Sequence, residues 1–260
     1  MPTSKPSRRS FLQTTAAAAA VATTSGSLSA LQQAPAVHQG GGKLKIGVVG
    51  IGGRGSGAAV QAVRAHKENV LHAVGDAFVD RLEGALADIQ ETLVGDGRKD
   101  QFDVPKERRF VGLDCIDQVL ATGVDAVVLA SPPGFRPMQI ERAVQAGVHV
   151  FAEKPIATDA PGVRRVHAAC ELARQKKLSI VSGLCYRYHD GRRATVQRLQ
   201  DGAIGDILTM QGNYVTGELW HFDRKEGQSE LEWQLRNWLY YPWLSGDHIA
   251  EQHIHTLDVM

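Results

Sequence analysis

Leu44-Lys45-Ile46-Gly47-Val48-Val49-Gly50-Ile51-Gly52-Gly53-Arg54-Gly55 is the stretch that decides the fold. Its first half is a short apolar run, the pattern of a parallel strand buried on both faces. Its second half is a complete G-x-G-x-x-G, and a helical stretch follows, Ala58 to His66. Gly50 permits a tight turn, Gly52 lets backbone approach a pyrophosphate, and Gly55 lets helix and strand pack closely. The helix N-terminus then presents free N–H groups to phosphate. Strand, glycine loop and helix in this order predict a dinucleotide-binding turn, with Gly50, Ile51, Gly52, Gly53, Arg54 and Gly55 at the cofactor.

Outward from that loop, a second strand is expected at Val70 to Val74, ending in Gly75-Asp76. Asp76 stands at the distance from Gly50 expected of the acid that binds adenosine ribose hydroxyls. A carboxylate there repels a 2′-phosphate and favours NAD, while Arg54 and Arg81 leave NADP possible. Asp76 also reads as an N-cap for a helix over Phe78 to Ile89. Further strands are expected at Arg109–Val111, Ala126–Ala130, Val148–Ala152 and Leu178–Gly183, with helices near 116–121, 137–146 and 160–176. This alternation predicts an α/β fold, a doubly wound parallel Rossmann sheet over residues 43–188. Ligands of such sheets bind beyond the strands' C-terminal ends. Ser131-Pro132-Pro133 and Glu153-Lys154-Pro155 fall there, which adds Ser131, Pro132, Glu153 and Lys154 to the cofactor crevice.

Lys154 is the sharpest catalytic candidate. An ammonium at a central strand end can hydrogen-bond a substrate hydroxyl and stabilise developing alkoxide. Pro155 is suited to a cis peptide. Far downstream, residues 245–258 place His248, Glu251, His255 and Asp258 on one face if helical. Acid and imidazole one turn apart make a general-base pair, Glu251 orienting His255. The same face could hold a metal, although none is expected. Tyr186-Arg187-Tyr188-His189 follows the sixth strand, and Tyr186 and Arg187 suit sugar hydroxyls and ring faces. Trp220, Trp233, Trp238 and Trp243 could line a carbohydrate pocket, but most are expected in the core of a second domain.

Composition excludes other classes. The chain has 260 residues, 43% of them hydrophobic and 22% charged, with formal net charge +1. Lys5, Arg8 and Arg9 are the only charged residues before position 37, and the remainder is slightly acidic. That balance supplies no basic patch for nucleic acid and no polybasic membrane anchor. Cys115, Cys170 and Cys185 are too few and too widely spaced for a disulfide framework or zinc knuckle.

The N-terminus reads as a targeting segment. Ser7-Arg8-Arg9-Ser10-Phe11-Leu12 precedes a mild apolar run, Thr14 to Ala22, too short to span a bilayer. Ala34-Pro35-Ala36 offers a cleavage site. The pattern resembles a twin-arginine signal peptide over 1–36, with a linker at 37–42. It implies export to the periplasm, without stable membrane insertion.

The glycine loop, Asp76, Glu153-Lys154-Pro155 and the final His-x-x-Asp together resemble the Gfo/Idh/MocA family of sugar and cyclitol oxidoreductases, over nearly all of residues 43–260. The resemblance implies NAD(P)-dependent oxidation of a sugar, cyclitol or glycoside hydroxyl, with Lys154 catalytic and His255 as the base; Lys154, His255, Tyr186 and Arg187 then meet the substrate. It also implies an α+β substrate domain with a mostly antiparallel sheet, begun over 189–260 with a strand near Ile207–Val215. On that likeness the chain looks C-terminally truncated, and a homo-oligomer is expected at full length. The chain departs from the family in Glu251 for an aspartate, His253 for a glycine, and Gly134-Phe135-Arg136 where a histidine is usual. Glu251 and His253 motivate an alternative, an NAD-assisted glycoside hydrolase or lyase working by redox-neutral oxidation, elimination and reduction. Export also implies tight cofactor retention, with clamping expected from Arg54, the Pro132-Pro133 turn or the linker.

Overall fold

The computed structural model describes residues 42–260, so the signal peptide expected at 1–36 and all but Gly42 of the expected linker lie outside the described residues. β1 (Lys45–Val49) forms where the apolar run was read, and Ile46, Val48 and Val49 are buried. Gly47 is required there because a Cβ would sit 2.6 Å from a Val119 methyl. β2 (Val70–Asp76), β3 (Arg109–Val111), β4 (Ala126–Leu129), β5 (His149–Ala152) and β6 (Ile180–Ser182) complete one sheet. Its order is β3-β2-β1-β4-β5-β6 and every pairing is parallel. The register aligns Val48 with Val74 on one side and with Val128 on the other.

Helices cover both faces, as an all-parallel sheet requires. α1 (Gly53–Arg64) and α2 (Val79–Gly95) pack on one face through Val63, Leu82, Leu86 and Ile89. α3 (Cys115–Ala121), α4 (Arg136–Gln145) and α5 (Ala160–Gln175) cover the other through Ile116, Val119, Ile140 and Val166. Each such side chain, fully buried, contributes about 1.5–3 kcal/mol. Strand order reverses between β1 and β4. The crevice therefore opens where β1 runs into Gly50 and β4 into Ser131.

Beyond β6 the expected architecture changes. α6 (Asp190–Gln200) is followed by a long stretch without regular structure. The strand expected at Ile207–Val215 does not form, and no antiparallel sheet occurs among the described residues. Most of its apolar side chains find little cover: Leu208 and Val215 are 89% and 93% exposed. An extended segment with no neighbour to complete its ladder gains too little to hold strand geometry. α7 (Glu230–Arg236), a single turn at Pro242–Ser245, a π-helical turn at Ile249–His253 and a short α-turn at Ile254–Leu257 complete the described chain.

Candidate active site

The glycine loop is shaped by contacts that only hydrogen side chains permit. Gly50 has φ +82°, and a Cβ there would fall 2.3 Å from the Ser131 nitrogen. A Cβ on Gly55 would sit 1.9 Å from the Gly50 carbonyl oxygen. Gly53 opens on free space. Asp76, buried at the end of β2, accepts from the Ile51 N–H at 2.9 Å and from the Phe78 N–H at 2.9 Å. The N-cap reading of Asp76 is not what forms: Phe78 is the residue at the cap and no side chain caps the helix. Burial, opposed by those two backbone bonds, raises the Asp76 pKa.

A cavity of about 720 Å³ brings these residues together. Gly50, Ile51, Gly52, Gly53, Arg54 and Gly55 line it, as do Asp76, Ser131 and Pro132. A groove with glycines at the approach points, a helix N-terminus and a ribose-side carboxylate fits a dinucleotide. Arg54 does not reach freely into this space. Its Nε donates to Glu153 Oε1 at 2.7 Å and its Nη1 to Gln61. Glu153, buried against Gly183, thereby joins the glycine loop to the end of β5.

Lys154, Glu251, His255 and Tyr186 line no part of that cavity; Lys154 pairs with Glu251 and His255 packs on Tyr186, and Glu153, the neighbour of Lys154, holds the cavity-lining Arg54. Lys154 follows β5 and precedes a cis peptide to Pro155. Its Nζ donates to Glu251 Oε1 at 2.6 Å and to the Glu251 carbonyl oxygen. The expected Glu251–His255 pair is therefore corrected: the carboxylate faces the lysine, 97 positions away in sequence, and not the imidazole. The single helical face read over 245–258 does not form either. Gly246 and Asp247 both have positive φ, and the chain then winds as a π turn. His248 is left exposed beside the Tyr214 carbonyl. Among the described residues no group of three or more His, Cys, Asp or Glu is placed to hold a metal ion.

His255 packs against two aromatic neighbours, its ring centroid 5.0 Å from Tyr186, tilted, and 6.4 Å from Tyr214, stacked. Burial, then the Lys154 charge, lowers its pKa from the ordinary imidazole value. Arg187, exposed, pairs with Asp258, whose side chain is nearly buried. Four buried side-chain atoms among the described residues have no hydrogen-bond partner in the protein: Arg136 Nε, Glu251 Oε2, His255 Nδ1 and Asp258 Oδ2. Three of them belong to the 251–258 turn. Such atoms cost about 1–3 kcal/mol each unless a ligand or water meets them.

Sequence reasoning missed Arg136. Its guanidinium is 3% exposed and donates to the Ser131 and Pro155 carbonyls, tying together the two loops that flank the crevice. Burial lowers its pKa to about 10, against the Glu153 and Glu251 charges. The available signal was a charge set among prolines and apolar residues, Pro132 to Ile140. Gly134 is explained too. A Cβ there would lie 2.5 Å from the Trp243 carbonyl oxygen, so a histidine has no room. The tryptophans are a further correction. None of the four is buried, and Trp220, Trp233 and Trp238 line the cavity instead of a core.

Comparison with known proteins agrees with this geometry. Residues 44–183, more than half of the chain, match the Gfo/Idh/MocA oxidoreductase family model, described as an NAD-binding Rossmann fold. Residues 5–25 match a twin-arginine translocation signal sequence. Inositol 2-dehydrogenase 4 of Saccharopolyspora erythraea is 32% identical over 169 residues, 65% of this chain and 44% of that protein. A dTDP-3,4-didehydro-2,6-dideoxy-alpha-D-glucose 3-reductase of Actinomadura kijaniata is 34% identical over 91 residues, 35% of this chain and 26% of that one. The chain thus spans less than half the length of these relatives. Among solved structures, scyllo-inositol dehydrogenase of Lactobacillus casei with bound NAD(H) and scyllo-inositol superposes with a TM-score of 0.50 at 28% identity, covering 64% of this chain and 43% of that one. The glycine loop, its sheet and their match over residues 44–183 make this chain a member of the Gfo/Idh/MocA oxidoreductase family.

Proposed function

We propose that this chain supplies the nucleotide site and the acid–base residues of an exported NAD(P)-dependent oxidoreductase that interconverts a secondary hydroxyl and a ketone on a sugar or cyclitol. The observation that carries the reading is the placement of Lys154: its ammonium is held by Glu251, four residues before the unpartnered His255 Nδ1, and it directly follows Glu153, which holds Arg54 of the glycine-lined cavity. A nicotinamide dinucleotide bound there supplies the acceptor for the carbon's hydrogen and its electron pair. Gly50 to Gly55 and Asp76 hold the pyrophosphate and adenosine ribose. The Asp76 carboxylate favours NAD.

Lys154 has three N–H donors. Two are engaged by Glu251, which fixes the ammonium and leaves one donor for the substrate oxygen. That bond strengthens as the oxygen gains negative charge, which is where catalysis is won. His255 Nδ1 takes the hydroxyl proton, and the depressed imidazole pKa keeps it free to do so near neutral pH. Glu251 Oε2 and Asp258 Oδ2 are acceptors for further hydroxyls, which suits a polyhydroxylated ring. The twin-arginine signal supports a periplasmic destination. The hydrolase or lyase alternative, motivated by Glu251 and His253, has no comparable support: Glu251 Oε1 is paired with Lys154, and neither relative named above is such an enzyme.

The test uses the full-length exported protein. Mass spectrometry should identify a co-purifying nicotinamide nucleotide. A panel of cyclitols and sugars should then yield ketone, with electron transfer read from nicotinamide absorbance. A well-folded protein that binds neither NAD nor NADP overturns the proposal.

A further inference from the structure

We propose that residues 220–238 form a strap over the adenosine half of the nucleotide groove, with Phe222, Trp220 and Arg81 as the adenine site, so that the dinucleotide is held between turnovers. The inference rests on the dinucleotide reading above and adds a site that the glycine loop does not provide. Asp76 marks the ribose end of the cavity. The base must lie past it, where Phe78 and Arg81 face the strap across the same cavity.

The strap spends buried structure on exposed rings. Phe222 is 48% exposed and Trp220 41% exposed, and both line the cavity. Asn237, by contrast, is 1% exposed. Its Oδ1 accepts from the Phe222 N–H at 2.8 Å, and its Nδ2 donates to the Phe222 carbonyl at 3.0 Å. The Trp233 indole N–H donates to that same carbonyl at 3.0 Å. The peptide of Phe222 is thus gripped at both ends while its ring stays open. A folding core has no use for such an arrangement; a flat ligand does.

The strap is also latched to the nucleotide domain. Arg236 makes a two-pronged pair with Asp80, at 2.9 and 3.0 Å, and its guanidinium lies 4.0 Å from the Phe78 ring centroid. Arg81 lies 6.0 Å from the Phe78 centroid and 5.5 Å from that of Phe222. Its Nη1 passes 3.7 Å from where a Gly52 Cβ would be, so the same guanidinium borders the glycine loop. Guanidinium groups set over rings at this end of the cavity favour a flat heteroaromatic base. Stacking tolerates any base, and arginine donors can meet the ring nitrogens of adenine. Of the clamps expected from sequence, Arg54 is engaged by Glu153, and the linker lies outside the described residues apart from Gly42.

The experiment compares full-length protein with its Phe222→Ala/Trp220→Ala double variant and with Phe222→Leu, which keeps bulk without a ring. Binding of ADP-ribose and of nicotinamide mononucleotide is measured by calorimetry, and nucleotide retention by gel filtration. Thermal melting verifies that each variant is folded. The double variant should bind ADP-ribose about 10- to 100-fold more weakly and lose its nucleotide on the column. Phe222→Leu should fall between, and nicotinamide mononucleotide affinity should not change. Equal ADP-ribose affinity in folded wild-type and double-variant protein overturns the strap and leaves the dinucleotide reading standing. Wild-type protein that binds neither NAD nor ADP-ribose overturns both.

Discussion

The sheet region and the segment after it use their side chains in opposite ways. Over residues 44–183 the large aliphatic groups are buried, and most buried polar groups are paired, as Asp76 and Glu153 are. Past residue 188 all four tryptophans keep a solvent-facing surface, and Glu251, His255 and Asp258 each carry a buried atom without a partner in the protein. The first region is stabilised by its own core. The second is shaped towards something it meets. The proposed reaction draws Lys154 from the first region and His255 from the second, and each of the following measurements bears on how holding and chemistry are divided between them.

The largest effect is expected at Lys154. In full-length protein Lys154→Met should lower kcat by about 10³-fold while nucleotide affinity changes little, since the lost donor acts on charge developing in the transition state. A matching loss of nucleotide binding would break the division. Next is Gly50→Ala, on the holding side. Positive φ and a Cβ 2.3 Å from the Ser131 nitrogen should together cost about 3 kcal/mol of unfolding free energy, measured by denaturant titration. Gly53→Ala, facing open space, is the control and should cost less than about 1 kcal/mol.

A smaller effect should appear in pH dependence. The His255 pKa is lowered by burial first and by the Lys154 charge second, so alcohol oxidation should fall off only as pH drops through that depressed value. Lys154→Met removes the second cause, and the His255 titration followed by NMR should then move up in pH. A titration that stays put or moves down would show that the imidazole does not sense the lysine. The smallest effect belongs to Arg187. It is exposed and acts through Asp258, so Arg187→Ala should raise KM only severalfold with kcat nearly unchanged.

The division also explains what was legible in the sequence. All six strands were readable; most are short apolar runs that end at glycine, proline or aspartate, a purely local signal. The glycine loop and the strand-end Lys154 were legible because the fold fixes where such positions point. The choice of Glu251 between His255 and Lys154 was not. Helical periodicity sees the neighbour four residues away and is blind to one on another element. Arg136 was hidden for the same reason, since its acceptors are carbonyls that no side-chain pattern encodes. The expected strand at Ile207–Val215 had suitable composition and no partner. The strap's aromatics looked like core because composition does not report which face a ring turns outward.

The π turn at Ile249–His253 has a consequence for heredity. A π turn holds one more residue than the α-helical turn it replaces. Loss of a single codon within it would restore ordinary winding and rotate everything downstream by about 100°. His255 and Asp258 would swing away together, while Lys154, the sheet and the nucleotide cavity stayed as they are. On the roles proposed above, one lost triplet would therefore separate nucleotide binding, which stays with Lys154 and the sheet, from the His255 base, which leaves.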